Sequence, residues 1–271
     1  NVVIDNGTTA LDLGASSVYG TLAVTSGEAI TQSGALIVEG TSSFTTDVND
    51  KAITLSNSSN ALTGAVTFTT QTAGTNLSHI NLNNGSTTIS LAAFTTEGNL
   101  TLATTAAIAL AGHTVNGNLA VTSSNAITQT AALTVSGTSS FTTNAADKAI
   151  TLSTTTNALT GAVSFTTTNG AGNAANVAID NGTTALDLGA SSVYGTLSVT
   201  SGAAITQSGA LTVEGASSFT TDVADKAITL STTTNAFTGA VSLTTTNGVG
   251  NAANVVIDNG TTALDLGASS V

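Results

Sequence analysis

Three copies of one phrase decide the fold: GTLAVTSGEAITQSGALIVEG (residues 20–40), GNLAVTSSNAITQTAALTVSG (117–137) and GTLSVTSGAAITQSGALTVEG (195–215). Inside each copy, apolar and polar residues alternate over short runs such as Leu197-Ser198-Val199, and Gly, Ser or Asn interrupts them. Alternation with period 2 marks strands with one buried face, and the interruptions mark turns. The copies open at Gly20, Gly117 and Gly195, so the first interval is longer than the second.

The difference between those intervals is informative. The extra piece lies around residues 77–97, where INLNNGSTTISL (80–91) aligns without gaps with VAIDNGTTALDL (177–188). Ile89 and Leu91 then recur as Ile108 and Leu110, at a spacing equal to that difference. Reading the shorter interval as four units and the longer as five gives about 19.5 residues each, or about 13 units in a 253-residue period. A unit that can be inserted singly belongs to a solenoid, in which each coil touches only the coils above and below. Leucine-rich repeats have a similar length, but their pattern and helical return are missing. The expectation is an all-β parallel β-helix (solenoid) with about 19–20 residues per coil, continuous over residues 1–271. Its sequence repeats are 20–116 (five coils), 117–194 (four) and 195–271 (four), with 1–19 ending a preceding repeat. Residues 1–18 return unchanged at 254–271, so the segment reads as one period of a longer array.

The core must be aliphatic, because 41% of residues are hydrophobic and only 3% aromatic. Val24, Ile53, Leu55, Val66, Val121, Ile150, Leu152, Val199, Ile228 and Leu230 are expected to point inward and stack as ladders. Phe44, Phe141 and Phe219 share one repeat position and are expected to fill a widened corner. Gly20, Gly117 and Gly195 open the phrase and read as turns. Tyr19 and Tyr194, just before two of them, read as corner residues in preference to glycan-stacking platforms.

A formal charge of -12 with three Lys and no Arg argues against nucleic acid and anionic membrane as partners. No apolar run reaches the roughly 18 residues of a membrane helix. A transmembrane barrel would need aromatic girdles that two Tyr and no Trp do not supply. No Cys is present, which fits a secreted protein stabilised by repeats but decides little by itself.

Phrases of the form G-N-L-x-V-T-x-x-x-A-I-T-Q-x-x-A-L-T-V (117–135), followed by S-F-T-T and A-I-T-L-S, resemble the repeats of filamentous-haemagglutinin-type exoproteins and large bacterial adhesins. The resemblance covers essentially the whole chain. It implies a right-handed parallel β-helix, two-partner or autotransporter secretion, and display as a filament on the outer surface of a Gram-negative-type bacterium. Repeated exposed patches point to other copies of the fibre as partners, with surface glycans or other cells as alternatives. The family's secretion, binding and anchoring domains are not in this sequence, so no ligand transfers to any residue.

Catalysis is not expected and no cofactor is implied. The paired acids Asp5/Asp12, Asp180/Asp187 and Asp258/Asp265 repeat with the array, whereas an active site is normally unique, and lyase chemistry lacks its Arg. The same six are weak calcium candidates, because Ile-Asp-Asn-Gly brings an acid, an amide and a turn glycine together. A turn in which Asp5 or Asn6 bonds its own backbone is the simpler expectation. Lys51, Lys148 and Lys226 each follow an Asp and suggest a loop ion pair. His79 and His113 share no repeat position. Runs such as Thr67-Phe68-Thr69-Thr70 resemble ice-binding arrays, but their spacing is irregular. The functional expectation is a structural or adhesive surface fibre; the competing class is a solenoid that binds glycan, receptor, calcium or ice on a side face.

Overall fold

The computed structural model describes residues 1–73, 78–172, 174–250 and 253–271. It is an all-β solenoid of about 12 turns, built from short strands paired in parallel. Val, Ile, Leu and Thr fill the strands, where branched side chains fit a pleated, half-buried surface. Backbone donors of a strand meet carbonyls one coil away, as when Leu22 N–H donates to Thr41 and Leu119 N–H to Thr138. With neighbouring strands about 4.8 Å apart, 12 turns make a rod about 55 Å long.

Each coil has three faces. On the first, Leu11, Ile30, Ile53, Ile80, Leu100, Leu119, Ser139 and Val163 lie in register one above another. On the second, Ile108, Ile127, Ile150, Val177, Leu197, Ser217 and Val241 do the same. The third position of each coil is held by three stacks that chain order, at three strands to a coil, places in succession: Val2, Leu22, Ser42 and Val66; then Thr95, Thr114, Thr134 and Ala158; then Leu186, Ile205, Ile228 and Val255. No strand pairing joins these stacks among the described residues, and the last meets the first face where Leu188 pairs with Val163.

The step from coil to coil is shortest where corners are tight, as from Leu11 to Ile30 and from Leu100 to Leu119. It lengthens from Ile30 to Ile53, and further from Ile53 to Ile80, where loops project. Val2 and Val255 both lie on the third face, eleven coils apart, so the 253-residue period averages about 23 residues per coil.

Those loops also change the coil count. Units of equal length predict five, four and four coils for the three repeats. Instead, residues 117–194 lay down ten strands, from Leu119–Ser123 to Ser191–Val193, and three strands make a coil. Residues 20–116 hold twelve strands and the bridged segment 89–91. Each repeat therefore ends one strand past a whole number of coils, at three and a third or four and a third turns. Equivalent residues step from face to face: Leu22 lies on the third, Leu119 on the first and Leu197 on the second. After three repeats the sequence returns to its starting face.

The core is one continuous aliphatic column, and Val24, Ile53, Leu55, Val66, Val121, Ile150, Leu152, Val199, Ile228 and Leu230 are all buried in it. Phe44, Phe141 and Phe219 are fully buried in mid-strand, not at a corner. Space for their rings comes from the neighbouring coil: Phe44 stacks on Phe68 with centroids 5.8 Å apart, and Phe141 on Phe165 at 5.9 Å. Gly20, Gly117 and Gly195 sit at corners where backbones nearly touch. A Cβ on Gly40, stacked over Gly20, would lie 2.5 Å from the Gly20 carbonyl oxygen. Only hydrogen fits there.

Candidate functional site

Two kinds of feature leave the plain coil: asparagines that replace missing backbone inside it, and loop pairs that project from it. Asn157 is 2% exposed, and its Oδ1 accepts Leu133 N–H at 2.8 Å and Gln129 Nε2–H at 2.8 Å. Its Nδ2 donates to Gln129 Oε1, Leu152 O and Asp180 O. Asn60 with Gln32 and Asn235 with Gln207 repeat the pairing. One coil further on, Asn181 closes the ladder over Leu159, accepting its N–H at 2.9 Å and donating to its carbonyl at 3.0 Å. Asn84 and Asn259 do the same over Leu62 and Phe237.

The projecting loops come in stacked pairs. Strands Ser42–Asn49, Ser139–Ala146 and Ser217–Ala224 run past their face and end at Asp50, Asp147 and Asp225. These three aspartates have φ of 61°, 58° and 59°, a left-handed conformation that Asp tolerates better than most residues. Their carboxylates hold the loop of the next coil. Asp147 accepts Gly172 N–H at 2.9 Å on Oδ2 and Ala174 N–H at 3.1 Å on Oδ1. Asp225 accepts Gly250 N–H at 2.9 Å, and Asp50 accepts Ala73 N–H at 3.3 Å. Lys51 pairs with Glu28 of the coil below at 2.7 Å. At Glu28's position the other repeats have Asn125 and Ala203, so that pair belongs to the first repeat.

The acids singled out from sequence fall in two places. Asp5, Asp180 and Asp258 each accept the N–H of the glycine that follows the intervening Asn, at 2.9, 2.8 and 2.7 Å, which makes an Asx turn. Those glycines, Gly7, Gly182 and Gly260, have φ of 56°, 55° and 58°, the left-handed region in which Gly is unstrained. Asp12 accepts the Thr31 hydroxyl at 3.2 Å. Asp187 sits mid-strand and Asp265 is exposed. Among the described residues no three His, Cys, Asp or Glu gather as a metal would require. No helix is long and apolar enough to cross a membrane.

A family described as "Repeats of unknown function (DUF5649)" matches residues 1–69, 97–166 and 174–244, most of the chain. The chain belongs to that family. No curated protein and no solved structure matches it. The three matched stretches each contain one Asp-ended strand and one Asn–Gln pair of these DUF5649 repeats.

Tyr194, half-buried, walls a groove of about 280 Å³ with Gly195, Thr196, Glu214 and Gly215. Its counterpart Tyr19 is 82% exposed. In the middle repeat Asn116 and Ser136 replace the Tyr and Glu. His79 is a local fastener, its Nδ1 accepting Asn99 N–H at 2.9 Å. His113 is 1% exposed, its ring centroid 4.8 Å from that of Phe94, and its Nδ1 has no partner among the described residues. Burial lowers its pKa to about 4.

The loop aspartates and ladder asparagines escape a reading of sequence alone. Asp147 bonds Gly172, and Gln129 bonds Asn157, across separations longer than the inserted coil. A search at the coil's own period passes over both pairs. The available signal was the shared recurrence of Asp50, Asp147 and Asp225 with an Asn- and Gly-rich stretch one coil later.

Proposed function

We propose that this chain is a stiff structural segment of an extracellular surface fibre, exported and displayed on a bacterium, whose copies associate side by side. The observation that carries this reading is the backbone ladder itself. Short parallel strands stack through about 12 turns, the longest sheet holding 15 of them, and inward amides bridge places where strand pairing lapses. Such a column resists bending because each coil hydrogen-bonds to two others. Repeated loops then turn one weak contact into many. Resemblance to filamentous-haemagglutinin-type repeats supports the surface location and the adhesive role.

Antibody labelling of intact cells, with electron microscopy of the purified chain, tests the proposal. Labelled filaments and rods that gather sideways as concentration rises are expected. Protein retained inside cells would overturn the surface role, and isolated single rods at high concentration would overturn the association.

The groove at Tyr194 favours a second reading, a glycan-binding face, since an aromatic ring beside a carboxylate and a hydroxyl suits a sugar ring. Glycan-array binding lost in Tyr194→Ala and Glu214→Gln would support it; no binding above background removes it.

A further inference from the structure

The three loop pairs do not point the same way. The pair at 46–52 and 69–73 lies between the third and first faces, because it follows Ser42–Asn49 and Val66–Gln71 and precedes Ile53–Leu55 and Ile80–Asn83. The pair held by Asp147 follows Ser139–Ala146 on the first face and precedes Ile150–Leu152 on the second. The pair held by Asp225 follows Ser217–Ala224 on the second and precedes Ile228–Leu230 on the third. All three corners of the solenoid therefore carry one pair, turned by a third of a revolution from repeat to repeat. Along the rod they are separated by about 21 and 16 Å, from four and a third and three and a third coils of about 4.8 Å.

The inserted coil makes the progression more telling. It changes the axial distance between the first two pairs, yet it adds three strands, a whole turn, and leaves the angular step as it was. Direction is kept where spacing is not. The upper loops at 168–172 and 246–250 contain only Thr, Asn, Gly, Ala and Val, whereas the lower loops carry Asp47, Asp50 and Lys51, Asp147 and Lys148, and Asp222, Asp225 and Lys226. Val223 is 43% exposed beside Asp225, and Val249 is fully exposed on the loop that Asp225 holds.

We propose that these loop pairs are contact points between copies of this chain, and that each fibre takes neighbours on three sides, so that the assembly is a hexagonal bundle. The second copy is the occupant because it presents the same loop pairs. Residues 1–18 return unchanged at 254–271, so an array built on that repeat would bring each corner's contact back every eleven coils, about every 53 Å, along a partner of the same kind. Upper loops without charge, and the exposed Val223 and Val249 of the third pair, suit a like surface on a chain whose net charge of -12 would oppose broad face-to-face contact.

This rests on the side-by-side association proposed above, and the test separates the two. Concentrated protein is examined by small-angle X-ray scattering and by electron microscopy of bundle cross-sections. Equatorial reflections on a hexagonal lattice are expected. Flat sheets or simple pairs would overturn the three-way arrangement and keep the association; rods that never gather would overturn both. The double variant Val223→Asp, Val249→Asp charges one corner only and changes exposed positions, so the solenoid's circular dichroism should be unchanged. It should convert the hexagonal order to sheets or double rows and raise the concentration needed for assembly at least several-fold. An unchanged lattice would overturn the role of the loops.

Discussion

The carboxylate of Asp147 holds the N–H of Gly172 at 2.9 Å, one coil above it, while Asp147 itself sits at a φ of 58°. One residue thus ends a strand in a left-handed turn and fastens the next coil's loop. Asp147→Ala loses both roles, and Asp147→Asn keeps the turn and one acceptor. The Ala variant should lose about 1–3 kcal/mol locally, with the Asn variant in between. Native-state hydrogen exchange at Gly172 and Ala174 reads this; equal protection in Asp147→Ala and wild type would contradict the clamp.

Gly40 tests the corner. Its Cβ would meet the Gly20 carbonyl at 2.5 Å, whereas a Cβ on Gly189 would come no nearer than 3.5 Å to Ala162 or Val163. Gly40→Ala should destabilise by about 1–3 kcal/mol because backbone cannot step aside cheaply. Gly189→Ala should be near neutral. Each variant adds one methyl at a turn between coils, so their denaturation midpoints compare like with like.

Asn157 is the interior counterpart. Asn157→Leu fills the space but strands Leu133 N–H in the core and takes a donor from Leu152 O and Asp180 O, while half-buried Gln129 keeps Ala131 O and Thr154 N–H. A buried unpaired polar group costs about 1–3 kcal/mol. Loss of the upper coils to proteolysis at a lower temperature than wild type is the expected readout. A variant as resistant as wild type would show that the amide ladder is dispensable.

How far the sequence reveals this object is visible in particular residues. Leu197-Ser198-Val199 and Ile228-Thr229-Leu230 announce strands because in and out alternate within each run, and their burial follows that alternation. The solenoid and the coil-sized insertion were readable for the same reason. The one-third turn per repeat was not. It depends on whether residues 46–52 count as strand or as loop, and hydropathy does not separate Val48, 43% exposed, from the buried valines. The Asn–Gln pairs were hidden because each partner lies on a different coil.

His113 makes stability depend on pH. Burial holds its folded pKa at about 4, below the 6.5 of an exposed His, so the unfolded chain binds the proton more readily. Its cost is absent above pH 6.5, grows as pH falls and levels off below about 4, reaching about 3 kcal/mol near there. The difference between wild type and His113→Leu isolates the effect. Leu is apt because Leu133 occupies the equivalent place in the next coil, fully buried. The variant should gain relative to wild type between pH 6.5 and 4; a pH-independent difference would contradict the assignment.

The inserted coil gives the most demanding prediction, since it sets register against composition. Ile89 bridges Ile108 across one coil, and Ile80 and Leu119 both pair with Leu100. Deleting residues 90–108 removes one whole coil and puts Leu110 where Leu91 stood and Leu119 over Ile80, with every inward residue still inward. Deleting 90–107 spares a single further residue and moves the segment after the junction by one position. A shift of one exposes the apolar side of a strand, because side chains alternate with period 2. The first deletion should therefore give a soluble β-rod about 5 Å shorter, the height of one coil. The second should aggregate or melt around the junction, although it keeps more of the chain. If both fold equally well by circular dichroism and proteolysis, loops absorb single-residue slips, and strand register is not what holds the coils in line.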